Sequence, residues 1–175
     1  LAVGDSASIT AALWLLDPLS IVIGSPLAGY QTVSAATIST ALSGGTSVTV
    51  QTGVDSAFTA GGGNNNEGDI RVRSSITKTG ASTATLSLIA HDDIFVENNA
   101  AITHSTGGGN TGKLNVTLSA GNDGAGNIDI LSGSTISTNG GNATFTATGG
   151  FIDINEDMNL SGGNFLFNAG DDIRI

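Results

Sequence analysis

Adjacent carboxylates are the most chemically suggestive feature of this chain. Asp92-Asp93 and Asp171-Asp172 each bring two acids together, and clustered carboxylates are what polysaccharide-cleaving sites use for acid–base work or for holding Ca2+. Each pair stands directly before an Ile-x-Val or Ile-x-Ile stretch. A turn is expected there, and Asp in a turn accepts a backbone hydrogen bond two residues on. Neighbours along a strand also face opposite ways, so the two carboxylates of one pair are expected not to converge. The acids are therefore read as corner residues.

The remaining candidates are weaker. Asn122-Asp123 and Glu156-Asp157 could offer oxygens to Ca2+, but few ligands cluster there and the Gly-Gly-x-Gly-x-Asp repeat of calcium-binding rolls is absent. Calcium stays a minor alternative, and no cofactor is expected. His91 and His104 have no His or Glu at an i, i+4 position and are expected at the surface or in turns. No Ser lies in a Gly-x-Ser-x-Gly elbow. Glycine runs such as Gly61-Gly62-Gly63-Asn64-Asn65-Asn66 lack the Lys-Ser/Thr ending of a phosphate loop. No catalytic, cofactor-binding or metal residue is assigned, and the chain is not expected to be an enzyme.

What must position these residues is legible from composition and repeat. The chain has 175 residues, with 26 Gly, 2 Pro and no Cys, and charged residues make up 11%. Ser, Thr and Asn abound, which is poor material for helical bundles. At 39% hydrophobic residues there is still enough apolar surface for a core. A net charge of −10 with five Lys plus Arg leaves no basic stripe for nucleic acid or for an anionic membrane. No apolar run approaches a membrane span, since Leu13 to Ile23 is broken by Asp17-Pro18. No signal peptide is recognisable, and the chain reads as one segment cut from a longer polypeptide.

Three families of short alternating segments recur in fixed order. The first comprises Gly68-Asp69-Ile70-Arg71-Val72, Asp92-Asp93-Ile94-Phe95-Val96, Gly126-Asn127-Ile128-Asp129-Ile130, Gly150-Phe151-Ile152-Asp153-Ile154 and Asp171-Asp172-Ile173-Arg174-Ile175, whose first isoleucines lie 24, 34, 24 and 21 residues apart. The second comprises Ser75-Ile76-Thr77-Lys78, Ala101-Ile102-Thr103-His104, Thr135-Ile136-Ser137-Thr138 and Met158-Asn159-Leu160-Ser161, and the third Ala84-Thr85-Leu86-Ser87-Leu88, Leu114-Asn115-Val116-Thr117-Leu118, Ala143-Thr144-Phe145-Thr146-Ala147 and Asn164-Phe165-Leu166-Phe167-Asn168. Gly, Asn and Asp punctuate the gaps.

Three strands per cycle with turn residues at the corners predict an all-β, right-handed parallel β-helix. Roughly seven rungs are expected from about Ile9 onward, or about 35 Å at ~4.8 Å per strand. Residues 1–175 form a single segment, in which 1–60 hold the amino-terminal rungs and 61–175 the regular ones. Apolar residues should face inward and Thr, Ser, Asp, Asn and Arg outward. One rung cannot pay for its own ordering, so the rungs must stack.

Gly61 to Glu67, Gly107 to Gly112 and Gly121 to Gly126 are read as extended corner loops. Trp14, Leu15, Leu16 and Leu19 are read as the inner face of an early rung. Thr77, Thr103 and Ser137 form a hydroxyl column resembling an ice-binding ladder, yet Lys78 and His104 are expected to intervene and Asn159 to end it, leaving an ordinary solvated face.

The segment Leu13-Trp14-Leu15-Leu16-Asp17-Pro18-Leu19-Ser20-Ile21-Val22-Ile23, with Ala36 to Val50, Gly68-Asp69-Ile70, Ser75 to Thr79, Ala101 to Gly109 and Lys113 to Ala120, resembles large exoproteins of the filamentous-haemagglutinin and high-molecular-weight adhesin type. The Trp-Leu-Leu-Asp-Pro element is its most specific part. The resemblance implies a Gram-negative protein exported by two-partner secretion through an outer-membrane transporter, secreted or held at the cell surface, with roles in adhesion or biofilm. The family's amino-terminal secretion domain is not apparent. A non-catalytic shaft or adhesion segment is therefore expected, meeting host or bacterial surface glycans or proteins. The alternatives are an extracellular filament subunit stacking on itself end to end and a polysaccharide-active β-helix enzyme.

Overall fold

The computed structural model describes residues 2–3, 13–53, 68–122, 124–156 and 158–175; side chains are described from Leu15 onward. The chain is a parallel β-helix with three faces. Sheet A contains, in spatial order, β1 (Ala2–Val3), β4 (Gln31–Val33), β3 (Ile21–Ile23), β6 (Ile70–Val72), β9 (Ile94–Val96), β12 (Gly126–Ile130), β15 (Gly149–Ile154) and β18 (Ile173–Arg174). Sheet B contains β2 (Leu13–Leu16), β5 (Ser47–Gln51), β8 (Ala84–Ile89), β11 (Leu114–Ala120), β14 (Ala143–Ala147) and β17 (Phe165–Ala169). Sheet C contains β7 (Ile76–Lys78), β10 (Ala101–His104), β13 (Thr135–Ser137) and β16 (Met158–Asn159).

Each strand pairs in parallel with its counterpart one rung away. Ile70, Ile94, Ile128, Ile152 and Ile173 are mutual register partners and form one column. The first four are fully buried, whereas Ile173, on the last strand, is exposed. Strand alternation explains the interior, since β8 and β11 bury every second residue. Among the described residues, the exposed large apolar side chains are Leu15, Phe165, Leu166, Ile173 and Ile175. All belong to β2 or to the last two strands and the residue after them, so between its ends the described part of the coil exposes no large apolar side chain.

The corners are tied by side chains reaching from rung to rung. On sheet B, Asn115 Oδ1 accepts the Asn142 N–H at 3.0 Å, and Asn142 Oδ1 accepts the Asn164 N–H at 3.1 Å. This gives the repeated Gly-Gly-Asn punctuation a structural role, because the amide oxygen continues the ladder where the backbone turns.

Several expectations need correction at the amino-terminal side. Ala35–Ser43 is an α-helix, α1, capped by Ser34, whose Oγ accepts the Ala36 and Thr37 N–H groups. It buries Ala35, Ile38, Ala41 and Leu42, a helical spacing, and lies against β7 where a strand of sheet C would otherwise sit. Its hydroxyls serve the strand edge. Ser39 Oγ accepts the Thr77 N–H and Ser43 Oγ the Thr79 N–H, each at 3.0 Å, while both donate back along the helix to the carbonyls four residues earlier. Serines one helical turn apart thus match alternate N–H groups of a strand.

The second correction concerns β3 and β4, which neighbour each other in sheet A and are joined by residues 24–30. The chain leaves β3, doubles back and re-enters the sheet one strand lower. The described sheets consequently contain eight, six and four strands, so not every rung contributes a strand to all three faces. Leu16 is buried but Leu15 is 55% exposed, because alternation on β2 cannot turn both inward. Ile9 and the loop from Gly61 to Glu67 lie outside the described residues, as does the side chain of Trp14. No described helix is long and apolar enough to cross a membrane.

Candidate functional site

The outer face of sheet A gathers the chemistry of the chain. The residue between the two apolar positions of each first-family segment points outward, so Arg71, Phe95, Asp129, Asp153 and Arg174 form a single column of register partners. With Arg73, this face and its margin hold every arginine of the chain. The outward residues of sheet B are uncharged by contrast, with Thr49, Ser87, Thr117 and Thr144 in one column.

At the amino-terminal end of the column a network pins the 24–30 excursion to the rungs. Tyr30 donates its hydroxyl to Asp69 Oδ2 at 2.9 Å and accepts from Arg71 Nε at 3.0 Å. Arg71 also reaches Glu97 Oε1 at 3.1 Å, and its guanidinium lies 4.0 Å from the centre of the Phe95 ring. Arg73 holds the other Glu97 oxygen at 2.9 Å and donates to the carbonyls of Ser25 and Pro26. Burial pushes the Tyr30 hydroxyl up to about 12. Burial also raises the Asp69 carboxyl, and the partly opposing pull of Tyr30 and Arg71 does not reverse it.

The middle of the column is acidic. Asp129 and Asp153 are direct neighbours on adjacent strands, where like charges oppose each other. Burial, then Asp153, then Asp93 push Asp129 up to about 6, with Arg174 and Arg71 counteracting. A carboxyl raised above its unfolded value binds its proton more tightly in the folded chain. This group therefore destabilises the fold above pH 6, and the cost fades as pH falls toward 4. Asp129→Asn is expected to raise stability at pH 7.5 by about 1 kcal/mol, after discounting for solvent around a partly buried group. The gain should vanish near pH 4, as urea midpoints at the two pH values would show.

The corner acids do converge, contrary to expectation. One carboxylate oxygen from each of Asp69, Asp92 and Asp93 lies within 4.8 Å of the others. Asp92 and Asp93 precede β9 in a bend, so strand alternation does not separate them, and stacking adds Asp69 from the rung below. These acids already have structural partners. Asp69 Oδ1 meets the Asp93 N–H, Asp93 Oδ1 accepts the Asn127 N–H at 2.7 Å, and Asn127 Oδ1 accepts that of Phe151 at 3.1 Å. The carboxylates thus begin a hydrogen-bonded staircase up the corner.

Of the other candidates, Glu156 accepts from Ser132 Oγ at 3.1 Å and from the Gly133 N–H, bracing the rung below. Asp123 and Asp157 lie outside the described residues. Asp172 is exposed and faces Arg174 at 3.5 Å. His91 remains at the corner before β9, partly exposed. His104 is 3% exposed and Lys78 fully buried, so neither interrupts the outward column of Thr77, Thr103, Ser137 and Asn159, which is continuous in register. The expectation of a surface His fails because strand alternation turns position 104 inward.

Comparison with protein-family models, with curated proteins and with solved structures yields no match.

Proposed function

We propose that the chain is a non-catalytic length of shaft from a secreted or surface-held bacterial exoprotein, stiff along its axis and adhesive on one side. The observation that carries this reading is the unbroken register of sheet B and of the isoleucine column of sheet A around a continuous apolar interior. Such ladders transmit load through many parallel hydrogen bonds, while outward side chains vary freely. The face with Arg71, Phe95, Asp129, Asp153 and Arg174 supplies charge and aromatic surface for glycans or proteins of host or bacterial surfaces. Gly107 to Gly112 offers a further contact loop. The resemblance of the Trp-Leu-Leu-Asp-Pro element and its neighbours to haemagglutinin-type exoproteins supports a Gram-negative source and two-partner secretion.

A polysaccharide-active enzyme is the second reading, favoured by the Asp129 and Asp153 pair. Adjacent strands lie ~4.8 Å apart, close to the ~5–5.5 Å carboxyl separation of retaining glycosidases, and an acid near 6 suits proton donation. Weighing against it, five Lys plus Arg in the whole chain provide little to bind an acidic polysaccharide. An extracellular filament subunit stacking end to end is the remaining reading, and electron microscopy of the purified chain separates fibres from short monomers.

The discriminating experiment incubates the chain with pectin and alginate, with and without Ca2+, and measures its binding to immobilised glycans in parallel. Binding weakened by Arg174→Ala, without turnover, is the expected result. Cleavage abolished by Asp129→Asn, Asp153→Asn or Asp92→Asn would overturn the shaft in favour of the enzyme.

A further inference from the structure

Lys78 and His104 are register partners on β7 and β10 and point into the coil where sheet C turns toward sheet B. The ring nitrogens of His104 are buried and lack any hydrogen-bond partner among the described residues. The Lys78 ammonium donates to the Thr79 carbonyl at 3.1 Å. Among the described residues no acid faces the pair. Helix α1 presents Ser39 and Ser43 to β7, and β8, β11 and β13 contain no charged residue. Thr138, which follows Ser137 as His104 follows Thr103, spends its hydroxyl on the Gly141 carbonyl at 2.7 Å. Lys113, also a cation, is exposed beside Gly140. The described carboxylates lie near the other two corners or on sheet A.

We propose that the stacked Lys78 and His104 form an acid-sensitive seam, at which protonation of His104 opens the corner between sheets C and B and frees residues 105–113 while sheet A stays closed. The reason is electrostatic. A second cation at position 104 would be buried against Lys78 with no described counter-charge, and its ring nitrogens make no hydrogen bond in the closed corner. Opening relieves both penalties by admitting water. Burial and the Lys78 charge accordingly hold the imidazole below its ordinary range, with the backbone of Ser105 and Gly80 opposing in part. The corner is also the easiest place to open. Strands β7 and β13 have three residues each, and the loop includes Gly107, Gly108 and Gly109 in exposed left-handed conformations.

The sign follows from linkage. A base whose closed-state affinity for protons is lowered favours the open state as pH falls from 6.5 toward its closed-state value, and one proton gives up to about tenfold per pH unit. Hydrogen exchange of the intact chain between pH 7.5 and 5.0, corrected for intrinsic rates, reads this directly. Opening of residues 76–80 and 101–113 should rise up to about tenfold per unit below pH 6.5, while 126–130 and 149–154 show no rise and slow slightly as Asp129 takes up its proton. His104→Leu should remove the slope, and Lys78→Met should shrink the total rise. An unchanged slope in His104→Leu, or an acid response centred on sheet A, overturns the proposal. If His104→Leu does not fold, imidazole titration by NMR in the unaltered chain decides. A ring neutral to well below pH 6.5 until the corner opens supports the seam, and one that titrates as an exposed imidazole without added exchange refutes it.

Discussion

Phe145→Ala should lower the stability of the coil by about 3–5 kcal/mol, the range for emptying a large aromatic site in a packed core. Phe145 is fully buried on β14 and is a register partner of Leu118 and Phe167. Its ring centre lies 5.4 Å from that of Phe167 at a tilted angle, a favourable aromatic geometry. The rigid ladder limits how far the walls can collapse into the space, which places the loss at the upper end. Urea unfolding should show the midpoint falling, with the carboxyl-terminal rungs melting first because solenoid rungs depend on their immediate neighbours. A loss below about 1 kcal/mol would mean that the ring is not enclosed in a packed core.

Gly141→Ala should cost at least as much, for a different reason. The backbone of Gly141 passes so close to the rung below that an added Cβ would overlap the Leu114 carbonyl. The obstructing atom belongs to the ladder and cannot rotate away, so the cost should exceed the ~1–3 kcal/mol of ordinary overpacking. Gly112 and Gly163 meet the rungs below them in the same way, against Ser82 and Gly141. Gly107→Ala is the control. Its φ of +94° disfavours a side chain, but a Cβ there would meet nothing, so about 1–2 kcal/mol is expected. Similar thermal shifts for the two variants would place the Gly141 backbone farther from Leu114 than the fold requires.

The repeating part of the fold was legible because its signal is redundant. Five Ile-x-Ile or Ile-x-Val segments at cycle spacing define the column that Ile70, Ile94, Ile128, Ile152 and Ile173 occupy. Position 35–43 was harder. Thr37, Ile38 and Thr40 are β-branched and suit a strand, but Ser34 before Ala35-Ala36 and the Gly44-Gly45 pair afterwards are helix-ending signals that outweigh them. The excursion between β3 and β4 left no comparable mark, since Gln31–Val33 lacks the isoleucine pattern of its sheet.

The charged face was only half legible. Each of its residues was visible as the central x of a recurring segment, yet Arg71, Phe95, Asp129, Asp153 and Arg174 become neighbours only when the register is known. The convergence of Asp69 with Asp92 and Asp93 is hidden likewise, because the sequence places 69 and 92 far apart and the coil places them one rung apart. Lys78 and His104 defied residue type. Polar side chains usually seek water, but alternation along β7 and β10 assigns these positions to the interior.

Pulling a single molecule by its two ends tests the mechanical claim most directly. A shaft built of stacked rungs should extend in a series of ruptures, each releasing one cycle of 21–34 residues, or on the order of 70–120 Å of chain. Smooth extension at low force, or one rupture that frees the whole chain at once, would contradict a load-bearing coil.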